Sequence, residues 1–464
     1  MSKLNKAFLA TTLLISAATA VTACSGAASG IQPEDRVVSA VNEAMTLSRD
    51  DLFKKAAEEI GGNELKFVGT SSRFKKAISA FRTELTKYNA ECEKMSITEE
   101  SMVDGQIYEK INGELDAGVK DGYSAFLVQD GYQLQKKGLD YAHYVNYIPK
   151  EWKDANDTNK DLNGNPFALQ YNMKTWMVNN ADGNTTVDNV WDFTGAKFKN
   201  KLVTMDPNNE NVNMDWLIML TQDKWCDVLK AAYEDSTNDA KAEINVDDYK
   251  DKGEKKKYAY AFIKGFLTNA SFFGDDGKAR DQMSSKTAAG TAGWIVYSKI
   301  ASIQETNDVS KKNFTICALG GENTDGTTAT SHIKGFGGFM YKHYLQVSPY
   351  AKYPYTACAF INFLSTTATG YKAWATDIGD YPTMPSINID RTKYGHGEFV
   401  EEEKDGKTEK VWKQNDSKEN VFPALNDPKS SWWEAENGGN VVIEDPAYIA
   451  ANYAEVKEFI DLYH

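Results

Sequence analysis

Leu65-Lys66-Phe67-Val68-Gly69-Thr70-Ser71-Ser72, with Phe74, Ile78, Phe81 and Leu85 behind it, is the stretch that decides the fold class. Leu65 to Val68 is short and rich in strand formers, 69–72 has turn composition, and the four apolar residues that follow recur at helical spacing. A β-α unit results. The pattern then repeats: Met95-Ser96-Ile97 reads as a strand, Ile107, Ile111 and Leu115 mark a helix, and Tyr123 to Val128 reads as a third strand. Strands alternating with helices predict an α/β protein with a mainly parallel sheet, whose ligand sites lie beyond the carboxyl ends of the strands.

Upstream, Ser48 is placed to cap a helix with Leu52, Phe53, Ala56 and Ile60 as its buried stripe, stopped by Gly61-Gly62. Downstream, residues 166–179 (PFALQYNMKTWMVN) are long, extended and apolar. Residues 201–205 form the next strand, 214–233 an amphipathic helix, 234–256 a charged exposed loop, and Tyr258 to Leu267 another helix. Further strands fit 294–297, 313–319 and 333–341, and a helix fits 355–365. Around Lys404-Asp405-Gly406-Lys407, the alternating runs 398–403 and 408–413 predict a hairpin inside an insertion, 391–440. Asp445-Pro446 starts a terminal helix.

At the other end, Lys3 and Lys6 precede an uncharged run from Ala7 to Ala23 that has the layout of a signal peptide and is short for a membrane span. It ends Val21-Thr22-Ala23-Cys24, which resembles a bacterial lipobox with Cys24 as the acylated residue. Loss of residues 1–23 removes two lysines and takes the formal charge from -14 to -16. So acidic a chain argues against nucleic acid as a partner. Cys92, Cys226, Cys317 and Cys358 show no C-x-x-C spacing, which leaves their pairing open. About 440 mature residues exceed what one core usually holds, so two lobes are expected.

Signatures of zinc proteases, serine hydrolases and nucleotide-binding loops do not occur in the sequence. The five histidines are scattered, and each reads as a surface or packing residue. Asp275-Asp276 reads as a solvated loop pair. Gly335-Phe336-Gly337-Gly338 fits a bulge or a hinge crossing better than a ligand cradle.

The order of segments resembles the extracellular solute-binding proteins of ABC importers, in the branch with ferric-, polyamine- and thiamine-binding members. Five stretches carry the likeness: Ser48 to Ser71, Pro166 to Asn179, the run Trp191-Asp192-Phe193 to Asp206-Pro207, Tyr355 to Ser365 with Tyr381 to Pro385, and Asp445 to Leu462. The resemblance implies a periplasmic-binding-protein-like fold, two α/β lobes joined by extended crossovers over a cleft. It divides the chain into a signal peptide (1–23), a lipidated tether (24–33), the first part of lobe 1 (34–165), the crossover and lobe 2 (166–332), a return to lobe 1 (333–385), and an insertion with a terminal helix packing on lobe 2 (386–464). Carried over by position, the ligand-binding candidates are Thr70, Ser71 and Ser72, Gln129 and Asp130, Asn208, Asn211 and Asn213, and Trp294 and Tyr297.

The function so implied is binding, not catalysis: a monomer, anchored through Cys24, that delivers a small organic solute to a permease and ATPase, with no cofactor or resident metal. The cell envelope, outside the cytoplasm, is its expected location. Ferric ion is the alternative ligand, although the adjacent tyrosine pair of ferric-binding members is missing. Readings of another class are an envelope-anchored enzyme acting on polysaccharide, with Trp432-Trp433 as a sugar platform, and an adhesin.

Overall fold

The computed structural model describes residues 32–464 apart from 103, 157–163, 180, 182–184, 186, 237, 300–313, 317–332, 376–379, 388–396, 405 and 415–440. The expected signal segment, Cys24, Cys317 and Trp432-Trp433 lie outside the described residues. No helix among the described residues is long and apolar enough to cross a membrane.

The stretch at 65–68 forms two strands, not one: β1 (Glu64–Leu65) and β2 (Phe67–Gly69). Lys66 marks the change of partner. β1 pairs with β3 (Ser96–Ile97), whereas β2 lies between β4 (Glu100–Ser101) and β5 (Ala125–Val128), all in parallel. The following helix opens as a 3-10 turn, Ser72–Ala77, because the Ser71 hydroxyl accepts the Arg73 N–H, and relaxes into an α-helix over Ile78–Thr86. Its stripe of Phe74, Ile78, Phe81 and Leu85 is buried as expected. Ser48 does cap the helix Arg49–Ile60 by accepting the Asp51 N–H.

A second parallel group consists of β7 (Leu202–Met205) between β8 (Ala270–Phe273) and β9 (Ala292–Val296). Two long strands connect the groups. β6 (Ala168–Asn179) runs antiparallel to β9 at one end and to β11 (Gly338–Val347) along most of its length, and the far end of β11 pairs with β5. β10 (Phe314–Ile316) and β12 (Asp380–Pro382) also pair with β6, while β15 (Val441–Ile443) pairs with β11. This is the two-lobed arrangement with extended crossovers. Gly338 permits the close approach of β11 to β6, since a Cβ there would stand 2.9 Å from the Lys174 carbonyl oxygen. The glycine run is thus a crossover feature.

Two expectations need correction. Residues 214–233 are not one helix but two, Asn211–Met219 and Asp223–Glu234. The expected loop at 234–256 holds a short helix, Asn238–Glu243, and a 3-10 segment, Val246–Lys252, anchored by buried Val246 and Tyr249. The hairpin is present as β13 (Gly397–Lys404) and β14 (Lys407–Gln414), with Gly406 at φ 72 in its turn. The terminal helix Pro446–Asp461 packs on Asn211–Met219 and also on the segment after β5, where Tyr132 and Tyr453 stack at 3.6 Å.

Candidate binding cleft on the crossover strands

Alternation along β6 puts Gln170, Asn172 and Lys174 on one face, and the register places Tyr341 and His343 of β11 beside Asn172 and Gln170. This polar row passes between the two lobes. Arg73, just beyond β2, and Asp380 of β12 close over it from one side, and Glu210 and Asp276, beyond β7 and β8, from the other. All four stand near the carboxyl ends of strands or beside the crossovers, where an α/β protein presents ligand groups.

At the second-lobe end, Lys174 is fully buried, with Nζ 2.5 Å from Glu210 Oε2 and 3.6 Å from Asp276 Oδ1. Burial pulls the Lys174 ammonium down, but Asp276 and Glu210 overcome it and leave it above the ordinary lysine value. Burial pushes the Glu210 carboxyl up to about 7 against the pull of Lys174. Asp276 Oδ1 is buried with no hydrogen-bond partner among the described residues. Its reading as half of a solvated pair is therefore corrected: Asp275 caps the helix Asp276–Met283, and Asp276 turns inward.

At the first-lobe end, the Gln170 amide donates to Asp380 Oδ1 (2.9 Å) and faces His343 Nδ1 (3.2 Å), and Tyr371 donates to Gln170 Oε1 (2.8 Å). Arg73 pairs with Asp380. Burial raises Asp380 to about 6 against that guanidinium. Burial, helped by Arg73, pushes His343 down to about 3, so the ring is neutral at pH 7. The two N–H groups of that amide face three neighbours, Asp380, Asn172 Oδ1 (3.0 Å) and the ring of His343. His343 Nε2 is buried without a hydrogen-bond partner among the described residues. A ring nitrogen of His343 and an oxygen of Asp276 that only the Lys174 charge reaches, at 3.6 Å, thus belong to one row.

The residues singled out from sequence fall into separate groups. Thr70 and Ser71 are half-buried and Ser72 is exposed beside Arg73. Asp130 is buried and receives Asn211 Nδ2 at 2.5 Å, which joins β5 to the helix after β7; Gln129 accepts the Tyr108 hydroxyl on its carbonyl. Asn208 is exposed and reaches Asp461 of the terminal helix. Asn213 is a structural tie to Thr204 and Met205.

Trp294 is a correction. Its ring is wholly buried among Trp176, Trp216 and Phe336, with centroids 4.5, 4.2 and 6.0 Å away, because β9 is an interior strand. Tyr297 is buried too, with its N–H on the Met173 carbonyl. Sequence reasoning missed Gln170, Asn172 and Lys174, although polar residues at i, i+2 and i+4 between Leu169, Tyr171 and Met173 were visible.

With this geometry in hand, the chain is similar in shape to several solved proteins. It resembles the ferric binding protein from Campylobacter jejuni (12% identity, TM-score 0.51, covering 86% of this chain and 99% of that one). It also resembles ferric iron-binding protein A from Mannheimia haemolytica in an open conformation (11%, 0.52, 86% and 98%) and an ABC transporter protein from Clostridium perfringens (8%, 0.53, 86% and 99%). At these identities the likeness defines the fold: a two-lobed, periplasmic-binding-protein-like architecture. No protein-family profile matches the sequence, and no curated protein matches it.

Proposed function

We propose that the chain is the substrate-binding lipoprotein of an ABC transporter, holding a small polar organic solute in the interlobe cleft for import. The observation that carries this reading is the polar row Gln170, Asn172, Lys174, Tyr341 and His343, buried except at half-buried Asn172, and covered from one lobe by Arg73 and from the other by Glu210 and Asp276. A site assembled from both lobes responds to hinge motion, and a ligand touching both favours the closed form. Arg73 and Lys174 stand against Glu210, Asp276 and Asp380, with His343 neutral, which leaves one excess negative charge when all three acids are ionised. That balance supports a cationic solute, whose N–H groups would meet Asp276 while another of its polar atoms meets His343 Nε2.

Lobes at 34–165 with 333–385 and at 166–332, a lipid anchor at Cys24, a monomeric state and docking on a permease with its ATPase complete the proposal. So does a location outside the cytoplasm at the membrane. Ferric ion is the second reading, for which the buried Tyr341 supplies a phenol oxygen within the row and Glu210 and Asp276 supply carboxylates.

Thermal-shift titration of the full chain in detergent, with spermidine, thiamine, glucose and ferric citrate as probes, tests both. A ligand at ~100 times its Kd stabilises by ~2.7 kcal/mol. A shift with an organic cation that His343→Ala abolishes supports the first reading. A shift with ferric citrate alone, with a visible phenolate-to-iron band lost in Tyr341→Phe, replaces it by the second. A shift with glucose alone overturns the cationic assignment, and no shift with any probe overturns both.

A further inference from the structure

On the opposite face of the crossover strands, three buried carboxylates meet at one turn of backbone. Asp130, Asp215 and Glu444 are 2%, 0% and 1% exposed. Asp130, two residues past β5, has φ 72, a strained value for a residue with a side chain, fixed by Gln133 N–H at Oδ1 (3.0 Å) and by Asn211 at Oδ2. The next N–H, that of Gly131, points at two acids: Asp215 Oδ2 at 2.9 Å and Glu444 Oε1 at 3.1 Å. Asp215 belongs to the helix after β7 and Glu444 follows β15, so this one N–H joins both lobes and the crossover. The other Asp215 oxygen, Oδ1, is buried with no hydrogen-bond partner among the described residues.

We propose that Asp215 and Glu444 hold a single proton between them in the closed form, and that losing it to solvent loosens the lobes, so closure weakens as the pH rises. Two carboxylates accepting one N–H in a buried setting repel each other when both are ionised. The charges around them do not cancel that repulsion. Lys342 of β11 donates to the Glu444 carbonyl (2.9 Å), and Lys137, from the segment after Gly131, donates to Gln133. Neither lysine can neutralise three acids, and Glu210, at the start of the Asp215 helix, adds a fourth. The remaining titratable neighbours are tyrosines: Tyr344, bonded to Glu444 Oε2, Tyr108, bonded to the Gln129 carbonyl, and the stacked Tyr132 and Tyr453. Burial raises the carboxyls of both Asp215 and Glu444, the latter to about 7, which puts the release within reach of ordinary conditions.

The inference rests on the two-lobed fold and on no particular solute, so its test omits ligand. Amide exchange of the full chain in detergent, corrected for the intrinsic pH dependence, is followed by mass spectrometry at pH 6 and pH 9. Protection of peptides covering 131–138 and 211–219 falls by at least about tenfold, the effect of one pKa unit. A peptide from the helix Lys256–Asn269 reports the global change in stability with pH, and the drop at 131–138 and 211–219 exceeds it. Asp215→Asn and Glu444→Gln retain an acceptor oxygen but remove one charge, and in each the excess of that drop over the control peptide disappears; either folded variant is sufficient. Equal protection at the two pH values in the wild type overturns the latch. So does an excess that persists in a folded variant, or a drop no larger than that of the control peptide.

Discussion

Replacing Lys174 by methionine keeps the volume of a long unbranched side chain and removes the one ammonium between Glu210 and Asp276. The native pair is closed from solvent: Lys174 is fully covered, and the side chains of Glu210 and Asp276 are 17% and 11% exposed. Removing one partner of a buried ion pair strands the other, at a cost of about 3–5 kcal/mol. Here two acids are stranded. The loss depends on pH, and its sign follows from the direction of the Glu210 shift. Its folded carboxyl titrates at about 7, above its unfolded value, so the native state holds more protons between the two and stability falls as the pH rises through that window. Without Lys174 the folded value moves higher still and the window widens upward. Urea unfolding followed by tryptophan fluorescence therefore shows a larger deficit for Lys174→Met at pH 8 than at pH 5. A deficit below about 1 kcal/mol at pH 8, or the same deficit at both, refutes the buried triad.

Other outcomes follow from the same structure. Trp294→Ala loses about 3–5 kcal/mol of unfolding free energy, as expected of a core aromatic; a near-normal urea midpoint would return Trp294 to the cleft. The wild type gains stability on acidification from pH 8 to pH 5, because Glu210 and Glu444 titrate at about 7 and Asp380 at about 6, all raised by burial; a flat profile contradicts their burial. Cys24→Ala moves the folded protein from the membrane fraction to the soluble fraction, and continued membrane attachment removes the lipid anchor from the proposal.

Local signals in the sequence sufficed for the elements and much of their order. The Ser48 cap, the stripe from Phe74 to Leu85 and the turn at Gly406 are each fixed within a few residues, so periodicity and turn chemistry report them directly. Sheet partnership is a different matter. Leu65 and Phe67 lie two residues apart yet join different sheets, and nothing local to Lys66 announces the exchange. The same limit explains Trp294. Every residue from Ala292 to Val296 is buried, so the strand lacks the alternation that would have told a cleft face from a core face.

The cleft itself was half legible, and the legible half lay where attention to residue type had passed over it. In 168–174 the polar residues Gln170, Asn172 and Lys174 alternate with Leu169, Tyr171 and Met173, the pattern of a strand with one polar face. A strand of that kind crossing between lobes needs a reason to bury its polar face, and ligand contact supplies one. What no local pattern could give is the pairing of Lys174 with Asp276, a hundred positions downstream, or of Arg73 with Asp380. Those contacts join residues far apart in the chain, so they are properties of the assembled fold and not of either segment. The row pairs its charges internally, Lys174 with Glu210 and Asp276 and Arg73 with Asp380, and leaves His343 Nε2 buried without a hydrogen-bond partner among the described residues, the atom of the row most open to a group from outside.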